Sequence, residues 1–147
     1  NMYGPHDHFN LTSSHVIPAL ILKVHRAIEE NAKSITLWGT GEASREFLFV
    51  EDCGQAIVKA INSDNLSPEP INIGTGKEIK IKDLVQEITN IMGYKGDIIY
   101  DPSKPDGQPR RCLDTSRAKE RLGFEAQVGL KEGLQRTINW YMENKHA

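Results

Sequence analysis

The sequence lacks the features that mark the commoner specialised classes. Its 147 residues include only two cysteines, Cys53 and Cys112, neither at metal-ligand spacing. That excludes a disulfide framework, and the pair reads as the reduced cysteines of a cytoplasmic protein. No apolar run approaches the length of a membrane span, and no signal-peptide pattern opens the chain. The net charge is -2, without the basic excess that broad nucleic-acid binding needs. There is no G-x-S-x-G elbow, no H-E-x-x-H pair and no C-x-x-C. A Gly-rich dinucleotide fingerprint behind a first strand is missing too. "GTGEAS" (39–44) and "GTGKEI" (74–79) carry two glycines each in the wrong surroundings, so both read as turns rather than phosphate cradles. Position 1 is Asn rather than Met, and residues 1–5 read as the end of a buried strand turning into a loop. The expectation is a piece of a longer protein.

What is present suits one soluble domain with a real core. Hydrophobic residues make up 38% and charged residues 26% of the chain, ordinary proportions at a length too short for two domains. After an irregular stretch at 5–14, Ser13 or Ser14 is placed to cap a helix that tolerates Pro18 in its first turn. Val16/Ile17, Leu20/Ile21, Val24 and Ala27/Ile28 give that helix its apolar face. "SITLWG" (34–39), "REFLFV" (45–50), "EPINIG" (69–74), "KEIKI" (77–81) and "DIIYD" (97–101) read as strands. Asp52 is expected to cap a helix with Cys53, Ala56/Ile57 and Ala60/Ile61 inward. Ile81, Leu84/Val85, Ile88 and Ile91/Met92 mark a strongly amphipathic helix ending at Gly93. Asp114 or Thr115 caps a short helix stopping at Gly123, and Leu130, Leu134, Ile138 and Tyr141 define the last one. Strands alternating with helices predict an α/β fold.

The residues able to carry chemistry are scattered. "DPSKPDGQPRRCLD" (101–114) has three prolines and so is neither helix nor central strand. It holds Arg110 and Arg111 in a stiff segment, either a solvated loop or a pre-shaped anion clamp. Lys23 on the first helix and Arg45 at a strand start add further cations suited to phosphate oxygens. Most surface lysines and arginines bind nothing, and spacing alone does not bring these four together. Trp38 beside Gly39 and Gly41 is either a cover for a base or sugar, or a Trp packed at the domain edge. His15, at a helix start, is the natural proton donor or acceptor. An acid role there needs a nearby anion, since the positive helix end favours the neutral ring. His6, His8 and His15 lack the regular spacing of a metal site, so no metal is expected.

"NMYGPHDHFNLTSSHVIPALILK", "ITLWGTGEASREFLFVEDCGQAI", "INIGTGKEIKIKDLV" and "SKPDGQPRRCLDTSRAKERLGF" together resemble the extended short-chain dehydrogenase/reductase family over essentially the whole chain. "REFLFVED" and "INIGTG" resemble that family at large. "GPHDHFN…SHVIPAL", "LWGTGEASREF" and "SKPDGQPRR" resemble its GDP-L-fucose-forming branch. The resemblance implies an NADP-dependent enzyme that converts GDP-4-keto-6-deoxy-D-mannose to GDP-L-fucose by 3,5-epimerisation and 4-keto reduction. It also implies that residues 1–147 are the C-terminal, GDP-sugar-binding part, with residues 1–5 ending a strand of an absent Rossmann core.

By position, the resemblance makes His15 the acid of epimerisation, bordering the nicotinamide, and places Asn1 and Met2 against NADP. Lys23, Trp38, Arg45, Asp106 and Arg111 match substrate positions, with the basic residues facing the diphosphate. The full-length parent is implied to be a homodimer, with neither nucleic acid nor membrane as a partner. The family's Gly-rich motif, its Ser and Tyr-x-x-x-Lys set and its reactive cysteine have no counterpart in this chain, so the chain alone is expected to be inactive. Two alternatives stand beside this: another nucleotide-sugar epimerase or dehydratase of the family, and a non-catalytic nucleotide-sugar binding module.

Overall fold

A computed structural model describes residues 1–64 and 68–145. The chain is α/β. Strand β1 (Met2–Tyr3) is followed by helix α1 (Val16–Glu29), then β2 (Ser34–Trp38), β3 (Ser44–Glu46), β4 (Leu48–Phe49) and α2 (Val50–Ile61). Strand β5 (Glu78–Lys80) leads into α3 (Ile81–Met92), and β6 (Asp97–Asp101), β7 (Arg110–Arg111), α4 (Ser116–Leu122) and α5 (Leu130–Asn144) complete the order. The strands form three small sheets: β1 parallel to β4, β2 parallel to β6, and β3 between antiparallel β5 and parallel β7.

Helices α1, α3 and α5 form as their periodicity predicts, and their apolar faces meet in the main core. Ile17, Ile21 and Val24 of α1, Leu84 and Ile88 of α3, and Leu134 of α5 are essentially inaccessible to solvent. Burying each such side chain stabilises by about 1.5–3 kcal/mol, against about 1 kcal/mol for a good helix cap. This difference explains how α1 forms without the expected cap. Its N-cap is His15 and makes no side-chain capping bond. Ser13 instead meets His8 Nε2 at 3.1 Å, while Ser14 donates back to the Asn10 carbonyl.

Four other expectations are corrected. "REFLFV" is two short strands, and Val50 already opens α2. Asp52 lies inside α2 rather than capping it, and its buried carboxylate accepts from the backbone of Gln127 and Val128 at 3.1 and 3.0 Å. Of the expected inner face of α2, Cys53, Ala56 and Ala60 do pack against a second cluster around Leu122 and Phe124. Ile57 and Ile61 do not: with Val50 and Val58 they lie exposed, Ile61 at 77%. Two apolar stripes run along this helix, and the spacing does not say which one is covered. Finally, "EPINIG" pairs with no strand; residues 69–74 carry no ladder.

One carboxylate ties these pieces together. Glu46 at the end of β3 is 4% exposed. Its Oε1 accepts from Thr75 N at 2.5 Å and Gly76 N at 3.0 Å, and its Oε2 from Leu113 N at 2.6 Å. The "GTG" turn at 74–76 is therefore wrapped around a side chain. A Cβ at Gly74 would sit 2.0 Å from Glu46 Oε1, and Gly76 adopts a φ of +68° that favours glycine. Burial pushes the Glu46 carboxyl up, but the three backbone donors more than reverse this and hold it below its ordinary 4.5.

The sign of the pH effect follows. A lowered native value contributes stability that is full above the unfolded value near 4.5 and is lost as pH falls through the lower native one. Glu46→Gln places an amide donor against N–H donors and should destabilise the chain by about 2 kcal/mol at neutral pH. It should also flatten the acid limb of stability, as read by urea unfolding between pH 3 and 7. Gly74→Ala should destabilise through the same contact, and an unaltered midpoint in both variants would contradict the clamp.

Candidate functional site

The alternation of β3 sets up the site. Ser44 and Glu46 face one way, where Ser44 Oγ and Arg110 Nε both donate to Glu78 at 2.7 Å. Arg45 leaves the opposite face, in register with Ile79 of β5 and Arg111 of β7. Arg45 borders a cavity of about 430 Å³ whose wall also includes Asn1, Met2, His15, Trp38 and Asp106, over a floor that includes Ile17, Phe47 and Ile81. Six of the eight residues singled out in the sequence thus share one concave surface, of the size usual for small-molecule sites.

Each arrives by a different route. Asn1 is fixed by its side-chain amide donating to the Glu46 carbonyl at 3.0 Å. His15 is the extended residue from which α1 springs. The loop leading to it is held by α5, with His6 and Phe9 against Trp140 and Phe9 against Tyr141. Trp38 ends β2 and is 72% exposed, with Lys104 Nζ 5.9 Å from its ring centroid. Arg45 donates through Nη1 to the carbonyls of Ser44 and Gln108, both at 2.6 Å. Its Nε and Nη2 have no acceptor among the described residues.

Asp106 closes the proline-rich loop onto the first glycine turn. Its Oδ1 accepts from Thr40 N and its Oδ2 from Thr40 Oγ1, each at 2.7 Å. These donors hold the Asp106 carboxyl below its ordinary range. Gly39, at φ +79°, leaves the space this needs, since a Cβ there would fall 2.2 Å from Asp106 Oδ1. The loop is therefore anchored at three points, by Asp106 to Thr40, by Arg45 to the Gln108 carbonyl and by Ser44 N donating to the Pro109 carbonyl at 2.9 Å. Thr40 escaped the sequence reading, although a hydroxyl between two turn glycines is well placed to bind a loop.

Two residues do not join the cavity. Lys23 lies two turns up α1 from His15, about 12 Å along the axis, and donates to the Thr36 carbonyl at 2.8 Å. It borders a separate shallow cleft with Arg26 and Glu30. Arg111 shares the face of Arg45 but is exposed and off the cavity wall. Arg110 is spent on Glu78 at 71% side-chain exposure, an ion pair of small worth at such a site.

A second cleft of about 340 Å³ lies beside the first, lined by Met2, Tyr3, Gly4, Pro5, His6, Asp7, His15 and Val50. Met2, Tyr3 and His15 border both. Among the described residues, no three His, Cys, Asp or Glu side chains gather to hold a metal ion, and no helix is long and apolar enough to cross a membrane.

Residues 1–74 match a model of the NAD dependent epimerase/dehydratase family. The chain is 43% identical over 98% of its length to a probable GDP-L-fucose synthase 1 of Oryza sativa subsp. japonica, covering 43% of that protein. It is 41% identical over 99% of its length to the GDP-L-fucose synthase of Escherichia coli K12, covering 47% of it. A crystal structure of a GDP-L-fucose synthetase from Naegleria fowleri bound to NADP superposes with a TM-score of 0.92 at 26% identity, over the whole of this chain and 46% of that one. The chain spans less than half the length of the curated relatives it matches.

Asp106→Ala should release the 102–109 loop without unfolding the core. Hydrogen exchange should quicken at Thr40 and through that loop, while α1 and α3 keep their protection. Unchanged exchange at Thr40 would mean that Asp106 anchors nothing.

Proposed function

The chain belongs to the NAD dependent epimerase/dehydratase family, and we propose that it is the nucleotide-sugar-binding, C-terminal part of an enzyme that forms GDP-L-fucose from GDP-4-keto-6-deoxy-D-mannose. The observation that carries this is the cavity that gathers Arg45, Trp38 and His15. Its support is the sustained likeness to GDP-L-fucose synthases along nearly the whole chain.

Arg45 is suited to the diphosphate, because a guanidinium with Nε and Nη2 free offers a bidentate pair to phosphate oxygens. Trp38, exposed on the rim, offers a flat apolar face to the sugar or base. Arg111 lies one strand over on the same face and adds positive potential at longer range. His15 stands where the two clefts meet, so a proton on its ring reaches a sugar lying in the first. The 4-keto group acidifies C3–H and C5–H, so that a base from the larger part of the enzyme takes each proton to leave an enolate, and an acid at His15 returns a proton to the opposite face, inverting the centre. Asp106 acts as a positioning group, because its oxygens are already engaged by Thr40.

The cofactor implied by the family is NADP, which supplies hydride to C4 when bound. The described residues fit one end of it only. Both glycine turns have spent backbone donors on carboxylates: Thr40 N on Asp106, and Thr75 N and Gly76 N on Glu46. Neither can cradle a phosphate. The second cleft, with Met2, Pro5 and Val50, suits a flat ring. We therefore assign the cofactor's phosphates to the larger part of the enzyme and expect the isolated chain to reduce nothing. The β1·β4 pair supports the same division, because parallel strands belong to wider sheets covered on both faces. Two free cysteines suit a reducing, cytoplasmic setting, and the complete enzyme is inferred to be a homodimer.

Calorimetric titration of the chain with GDP and UDP tests the reading. GDP should bind, and Arg45→Ala should weaken it by about 1.5–3 kcal/mol, the scale of lost hydrogen bonds to a charged group. Arg111→Ala should weaken it less. A folded chain that binds no GDP, or binds UDP as well as GDP, would overturn it.

A further inference from the structure

Among the described residues, one buried side-chain oxygen has no hydrogen-bond partner: Oδ2 of Asp7. Its twin Oδ1 accepts from His8 N at 2.8 Å. A buried acceptor left unpaired is disfavoured, and native proteins keep few of them. The surroundings indicate what kind of donor is missing. Asp7 lies on the wall of the second cleft, next to His6 and across from Met2 and Val50. Met2 and Val50 are exposed apolar side chains at 56% and 41%, a floor for a flat ring rather than for an ion.

The turn that carries Asp7 is built to give. His6 holds a φ of +66°, a region that non-glycine residues adopt at a cost. The turn is closed by Asp7 N donating to Gly4 O at 3.4 Å, longer than a well-formed bond. Gly4 packs closely against α2, where a Cβ would fall 2.5 Å from Val50 Cγ1. Adjustment therefore falls on residues 5–7. A rotation there would carry Oδ2 into the cleft that Asp7 already lines, where an entering donor would satisfy it.

We propose that Asp7 is a recognition residue of the second cleft, taking an amide N–H from a planar ring ligand, the nicotinamide end of the dinucleotide. This rests on the reading of that cleft given above. A carboxylate accepts from a ring carboxamide and repels a ring carboxylate, so the cleft distinguishes an amide from the corresponding acid. Solvation by water alone creates no such distinction.

The test uses the 147-residue chain and two probes, nicotinamide mononucleotide and nicotinic acid mononucleotide, followed by saturation-transfer NMR with competition to rank affinities. The native chain should favour the amide by about tenfold or more, the scale of one charge-assisted hydrogen bond. Asp7→Asn, which can accept from the amide and donate to the acid, should bring the two within about twofold. Asp7→Ala should abolish the preference as well, with far-UV circular dichroism and GDP titration unchanged in both variants. A native chain that binds GDP but treats the two probes alike, or binds neither, overturns the assignment of Asp7 alone. Loss of GDP binding in the native chain overturns the underlying reading together with it.

Discussion

The Glu46 carboxylate, held by three backbone N–H groups, is the constraint on which the site depends. It is buried, and it takes donors from two loops far apart in sequence. Because strand side chains alternate, fixing Glu46 inward fixes Arg45 outward. Asn1 adds to the same node, donating to the Glu46 carbonyl while its own carbonyl accepts from Leu48 N at 2.8 Å. A short strand that would slip readily on its own is thereby held in register, and the cation it presents is held with it. Asp52 does similar work in the first turn of α2, where it gathers the backbone ahead of α5.

This explains why "REFLFVED" reads as a unit although it breaks into two strands and a helix start. Its charged residues serve different ends. Arg45 faces the cavity, Glu46 and Asp52 accept backbone bonds, and Glu51 pairs with Arg136. Phe47 and Phe49 alternate with them in the core. From sequence, a carboxylate that accepts three backbone donors looks like any surface glutamate, since the partners lie 29 to 67 positions away.

Legibility was greatest where local periodicity and burial agree. Helices α1, α3 and α5, strands β2 and β6, and the left-handed stops at Gly93 and Gly123 were all legible. Helix α2 was half legible, because two apolar stripes satisfy the same spacing. "EPINIG" has the composition of a strand, yet no neighbour pairs with it. Of the site, the residue types were legible and the convergence was not. Lys23 follows His15 in sequence but is carried away by the rise of α1, whereas Asp106, far along the chain, is brought back by a hydroxyl between two glycines. Nothing in "GPHDH" signals an oxygen without a partner, which is a property of packing alone.

The three small sheets have a kinetic consequence. Strand β2 meets β6 across roughly sixty residues of chain, and β1 meets β4 across more than forty, so both parallel ladders must wait for large loops to close. The helices need only their own neighbours in sequence and form on a shorter timescale. Trp38 and the β1 end of the cavity sit on these late-forming ladders, and Arg45 lies on β3, whose parallel partner β7 is as distant in sequence. Single helices can therefore precede the cavity, but the packing of α1 on α3 waits on the same long-range closure as the β2·β6 ladder, so opening that ladder removes the Trp38 rim of the binding surface with it.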